Sequence, residues 1–136
     1  MTFAYRRTVR FHETDAAGVV YFANVLTLCH EAYEASLAAA GINLRQFFGQ
    51  AQTAFPIVQA TVDFRRPLHC GDQLVIQLSP QQTGPDSFEI AYTLEAAATS
   101  VLATALTRHV CIDAAARQRQ PITPAMTAWL AKTAEV

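Results

Sequence analysis

The residues best suited to chemistry fall in one stretch, His12-Glu13-Thr14-Asp15-Ala16-Ala17-Gly18-Val19-Val20-Tyr21-Phe22. It sets a carboxylate, Asp15, and a glycine, Gly18, just ahead of an apolar run with helical spacing. At the start of a helix the backbone N–H groups lack intrahelical acceptors, and the helix dipole draws negative charge to that end. A carboxylate beside such donors is the pairing that hydrolysis of an activated acyl group requires. An Asp in this place also serves as an Asx-turn or cap residue, and the residue types alone leave both roles open. The small residues between Asp15 and Phe22 let the chain fold back over the helix start.

Other reactive side chains form no convincing constellation. No H-x-x-x-H or H-x-x-E-H spacing accompanies His12, so no metal site is expected. Cys29-His30 and His69-Cys70 are sequence neighbours that point in different directions, which makes them poor nucleophile–base pairs. Cys29 and Cys111 read as small core hydrophobes. Ser36, Ser79, Ser87 and Ser100 lack a G-x-S-x-G context, and the five glycines are scattered, with no phosphate loop. Glu31 and Glu34 share a polar helical arc with Asn24 and Thr27, serving either as a solvated or subunit-facing stripe or as a second carboxylate near Asp15. Arg65-Arg66 are placed either to meet acidic groups such as carrier phosphates or to end a strand.

The chain has 136 residues, 51% of them hydrophobic and 15% charged. Those values fit one folded domain over residues 1–136 and exclude disorder. A net charge of −1 carries no nucleic-acid or membrane footprint. No apolar run is long enough to span a bilayer, and the first residues lack the apolar core of a secretory signal. The three cysteines are widely spaced, without C-x-x-C, so a reducing cytoplasm is expected.

These candidates must be positioned by regular elements. Residues 3–11 alternate apolar and polar with period two, predicting a half-buried strand on whose apolar face Arg7 is the polar exception. Residues 22–40 change to helical spacing, so apolar outside one polar arc that the helix should be swallowed by its neighbours, with Gly41 at its end. A short helix is expected over 43–48. Four strands follow, over 58–65, 74–79, 88–95 and 101–112. Hairpin turns are expected at 83–87, at 67–72 and at Ala96-Ala97-Ala98. Pro121 and Pro124 bracket a weak terminal helix around 126–131. One apolar helix and five antiparallel strands make an α+β domain in which a curved sheet wraps the helix.

Thr14-Asp15-Ala16-Ala17-Gly18-Val19-Val20-Tyr21-Phe22, leading into the long helix, resembles the signature of the hot-dog-fold 4-hydroxybenzoyl-CoA thioesterase family. The stretch from Val62 to Asp72, with an aromatic, a proline and a late Gly-Asp, is similar to its second signature. Within the family, Cys29-His30-Glu31-Ala32-Tyr33-Glu34, His69-Cys70-Gly71-Asp72 and His109-Val110-Cys111-Ile112 resemble the 1,4-dihydroxy-2-naphthoyl-CoA thioesterases of phylloquinone and menaquinone biosynthesis, with Phe22 where many family members carry His.

The resemblance implies a hot-dog fold, with a long central helix wrapped by a curved five-stranded antiparallel sheet. It also implies an aryl-CoA thioester as substrate, no cofactor, and a homodimer or homotetramer sharing an apolar aryl pocket at a subunit junction. Asp15 would be the catalytic carboxylate, as nucleophile or as general base, and the Phe22 backbone N–H the oxyanion donor. Gly18, Tyr21, Glu31, Arg65 and Arg66 are substrate-binding candidates. The alternatives on this scaffold are a broader acyl-CoA or acyl-carrier-protein thioesterase and a non-catalytic acyl-binding domain. Thiol release across a substrate panel separates them.

Overall fold

The computed structural model describes residues 3–49, 52–96 and 100–134. The chain runs β1 (Phe3–Thr8), a 3-10 turn (Phe11–Glu13), α1 (Asn24–Ala39), α2 (Leu44–Gly49), β2 (Thr53–Ala54), β3 (Ile57–Phe64), β4 (Gln73–Gly84), β5 (Ser87–Ala96), β6 (Ser100–Val110), β7 (Ile112–Asp113) and α3 (Pro124–Ala134). Five strands form one antiparallel sheet in the order β1-β4-β5-β6-β3, and β2 pairs with β7.

Alternation along each strand sorts residues onto two faces. Leu74, Ile76 and Leu78 of β4 and Phe88, Ile90, Tyr92 and Leu94 of β5 are all buried. They share a core with Val25, Leu28, Cys29, Ala32, Tyr33 and Leu37 of α1. The register sets Tyr5, Ile76, Leu94, Ala103 and Phe64 in one row across all five strands. The helix ends in a paired backbone motif: Gly41 N–H donates to the Ala38 carbonyl at 3.0 Å and Ile42 N–H to the Leu37 carbonyl at 3.1 Å. The first of these residues needs a left-handed backbone, and Gly41 supplies it at φ +85°.

Four expectations change. The first strand stops at Thr8 instead of running to residue 11. The Arg10 N–H turns onto the Glu13 carboxylate at 2.8 Å and winds the chain into the 3-10 turn. The helix α1 is not enclosed within one protomer: Thr27, His30, Glu34, Ala38 and Ala39 are exposed, because the sheet covers only one side of it. The turn at 67–72 is real, with Asp72 N–H on the His69 carbonyl at 3.0 Å, but it does not join hairpin partners. Both neighbours of β4 are other strands, β1 and β5, so the chain crosses from one sheet edge inward. The terminal helix is a structural member and not a weak appendage: Met126 and Trp129 are buried, and the Trp129 Nε1–H donates to Ser36 Oγ of α1 at 3.1 Å. Of the Ala-rich hairpin, Ala97 and Ala98 lie outside the described residues, while Ala96 pairs with Ser100 across β5 and β6.

Candidate active site

Between β1 and α1 the chain folds into a small hairpin built on its own backbone. Tyr21 N–H donates to the Glu13 carbonyl at 2.9 Å, Thr14 bridges Val20, and Asp15 N–H donates to the Val19 carbonyl at 2.9 Å. The turn closes with Gly18 N–H on the Asp15 carbonyl at 3.0 Å, and Gly18 takes φ +83° there. Val20 N–H on the Leu68 carbonyl at 2.8 Å, and a Val19–His69 bridge, anchor the hairpin to the segment leaving β3. That is the folding-back which the small residues permit.

Asp15 stands exposed at the tip. Its Oδ1 accepts the Ala17 N–H at 2.9 Å, an Asx turn that fixes the carboxyl group's orientation. Oδ2 accepts no hydrogen bond among the described residues. The turn-forming role of the residue is therefore present, and it leaves the second carboxylate oxygen uncommitted.

The helix start lies across the same opening. No side chain caps α1. The Asn24 and Val25 N–H groups bond back to the carbonyls of Tyr21 and Phe22. The Phe22 N–H finds no acceptor among the described residues. A cleft of about 420 Å³ brings together Asp15, Tyr21, Phe22, Phe64, Arg65 and Arg66. Two aromatic rings, Tyr21 and Phe22, meet at 4.8 Å on its wall. Neither arginine forms an ion pair among the described residues, so both guanidinium groups are open to an anionic ligand. This arrangement brings a carboxyl side chain, a backbone donor and two arginines to one largely apolar opening. It can polarise a carbonyl while attacking it.

Gly18 shapes the turn but does not line the cleft, and Glu31 stands apart from it. The Glu31 carboxylate is taken by Arg7, at 2.6 Å from Nε and 3.1 Å from Nη2, and by the Tyr5 hydroxyl at 3.1 Å. Within the protomer it joins β1 to α1, so its candidacy as a substrate-binding group is not supported by position.

The residue that sequence reasoning passed over is Glu13. It is 5% exposed, and its carboxylate pairs with Arg7 as well as with the Arg10 N–H. Its carbonyl accepts both Tyr21 N–H and, at 2.9 Å, the Asn24 side-chain amide. The signal was Arg7 itself, because a cation on an apolar strand face needs a carboxylate within reach.

A second cavity, of about 400 Å³, lies at the other end of β3 between α1, α2 and the sheet. Tyr33, Phe48, Phe55 and Ile57 line it together with His30, His109 and the carboxylate-bearing Glu34. Burial pushes the His109 imidazole down to about 4, against a smaller opposing effect of the Phe55 backbone, so the ring is neutral at ordinary pH. It stacks on Phe88 at 4.7 Å, and its Nε2 lies 2.8 Å from Thr107 Oγ1.

Comparison with known proteins bears on the family and the fold. A family model described as the thioesterase-like superfamily matches residues 9–130. The 1,4-dihydroxy-2-naphthoyl-CoA hydrolase of Nostoc punctiforme is 57% identical over 130 residues, covering 96% of this chain and 87% of that protein. Its counterpart from Trichodesmium erythraeum is 53% identical over 132 residues, covering 96% of each. The crystal structure of a 1,4-dihydroxy-2-naphthoyl-CoA thioesterase from Synechocystis superposes with a TM-score of 0.92 at 36% identity, covering 100% of both chains. With a matching family model over most of its length and the hot-dog arrangement of helix against sheet, the chain belongs to the thioesterase-like superfamily.

Proposed function

We propose that this chain is a thioester hydrolase cleaving 1,4-dihydroxy-2-naphthoyl-CoA to 1,4-dihydroxy-2-naphthoate and CoA. The observation that carries the reading is a single cleft lined by both Asp15, whose Oδ2 accepts no hydrogen bond among the described residues, and Phe22, whose N–H finds no acceptor there. Asp15 either attacks the thioester carbon itself, giving an anhydride that water opens, or draws a proton from the attacking water. In both routes a C–O bond forms, the C–S bond breaks and CoA leaves as its thiolate. Negative charge gathers on the carbonyl oxygen, where the Phe22 N–H and the α1 dipole meet it. One preorganised donor of this kind contributes about 3–4 kcal/mol. Arg65 and Arg66 are suited to the CoA phosphates.

The aryl group is proposed to sit between two copies of the chain. The strand β3 is an open sheet edge, yet Val58 and Phe64 on it are apolar and 57% and 51% exposed. Such an edge pairs readily with its like. Antiparallel pairing about a two-fold axis sets the Ile57 end of one β3 against the Phe64 end of the other. Within one protomer those ends are roughly 23 Å apart, at about 3.3 Å per residue. In the dimer each Asp15 cleft is continued by the second cavity of the other copy, whose Tyr33, Phe48 and Phe55 suit a fused aryl ring and whose Glu34 and His30 suit its hydroxyl groups. The three unpaired cysteines are consistent with a cytoplasmic setting.

The test is thiol release from a panel of aryl-CoA, fatty acyl-CoA and carrier-protein thioesters. Preference for the dihydroxynaphthoyl thioester is expected, and Asp15→Asn should lower kcat about a hundredfold or more while the fold is kept. Thiol release by Asp15→Asn equal to the parent enzyme, or none by the parent, overturns the assignment.

A further inference from the structure

The guanidinium of Arg7 stands where three pieces of the molecule meet. It projects from β1, reaches the Glu13 carboxylate in the 3-10 turn, and takes the Glu31 carboxylate of α1 through Nε and Nη2. Its Nη1 also donates to the Thr8 carbonyl at 3.1 Å. The side chain is only 11% exposed, and Glu13 is 6% exposed. A planar fork of donors can satisfy two carboxylates at once, and a lysine ammonium cannot reproduce that geometry.

Glu13 carries this anchoring to the site. Its carbonyl holds the Tyr21 N–H and the Asn24 side chain, one on each side of Phe22. Two residues beyond it stands Asp15, on the hairpin that this same pair of bonds opens. The distance between the reactive carboxylate and the donor at residue 22 therefore depends on where Glu13 sits. The Arg10 N–H holds the Glu13 carboxylate from its own turn, and Arg7 is the group that ties it to β1 and α1.

We infer that Arg7, acting through Glu13, is a positioning residue for thioester cleavage. It touches neither the cleft nor any reacting atom. It sets the spacing between Asp15 and the Phe22 N–H, so removing it lowers the rate of the chemical step more than it weakens substrate binding. The inference rests on the Asp15 reading above and extends it to a residue outside the cleft.

Arg7→Lys, Glu13→Gln and, as a stability control, Leu37→Ala are compared with the parent enzyme in thermal melts and in kinetics well below each melting temperature. Leu37 is fully buried in α1, so its truncation loosens the fold at a distance from the site. The expected result is a kcat about tenfold lower or more for Arg7→Lys and for Glu13→Gln, with KM within about twofold, while Leu37→Ala melts earlier with its kcat intact. A folded Arg7→Lys with parental kcat overturns the inference. So does a loss in Leu37→Ala that matches its loss of stability, or failure of both polar variants to fold, since either makes the ion pair a matter of folding alone. The parent enzyme and Asp15→Asn are run alongside. If the parent releases no thiol, or Asp15→Asn matches it, the reading of the site fails, separately from the role of Arg7.

Discussion

Asp15 divides its carboxylate between holding a turn and facing a cleft, and the turn it holds depends on Gly18. At φ +83° an L side chain is strained, although a Cβ there would meet nothing within 4 Å. Gly18→Ala should therefore cost about 1 kcal/mol through the backbone alone and shift Asp15 relative to Phe22. A modest fall in melting temperature with a larger fall in kcat is the expected pair of readings. Asp15, Gly18 and Phe22 were legible because carboxylate, turn residue and helix start are adjacent in the chain. Glu13 was not, since its importance comes from Arg7 on another strand. That pairing also has a pH signature. Burial alone would raise the Glu13 carboxyl, but the Arg7 guanidinium and the Arg10 N–H outweigh it and hold the group below its usual range. As pH falls through that range the unfolded chain takes up its proton first, so the stabilisation, complete above about pH 4.5, is lost as pH drops through the depressed folded value. In Arg7→Met the larger opposition to burial is gone and the Arg10 N–H remains, so urea melts across acidic pH should show the loss beginning at higher pH.

Among the elements, periodicity located α1 and the five long strands, because each buries one face over several repeats, but it stopped β4 at residue 79 where the strand runs on through Pro80 to Gly84. The pair β2 and β7 was not legible, since two residues carry no period. The role of α3 was underread: Met126 and Trp129, three apart on one helical face, were its only large apolar residues before Leu130, yet they close the core against Ser36. Of the sheet strands, β6 carries a titration of its own through His109. Its folded value near 4 lies below the ordinary 6.5, chiefly from burial. Between those values the unfolded chain binds a proton that the folded chain excludes, so stability is complete above pH 6.5 and falls by about 3 kcal/mol on the way down to pH 4. His109→Gln should flatten that slope in chemical denaturation measured at a series of pH values, while lowering stability at neutral pH through the lost stacking on Phe88.

At the scale of the whole molecule, the alternation that marks a strand does not say which strand lies beside it. The crossover that sends β3 to the sheet edge was therefore invisible in the sequence, although it governs the proposed shared site. That edge leaves the two cavities of one protomer at opposite ends of a strand, with Asp15 at one and Tyr33, Phe48 and Phe55 at the other. If catalysis joins the cleft of one copy to the cavity of the next, damage to the two halves should complement. Asp15→Asn removes the carboxylate, and Ile57→Trp fills the second cavity, so each homodimer is inactive for a different reason. In a mixture refolded together, half the dimers carry both chains, and each of these has one site built from an intact cleft and an intact cavity. Recovery of about a quarter of the parental activity per chain is the expected outcome, read by thiol release after co-refolding equal amounts. A mixture no more active than its separate components would place the whole site within one protomer, and β3 would then need another reason for its exposed valine and phenylalanine.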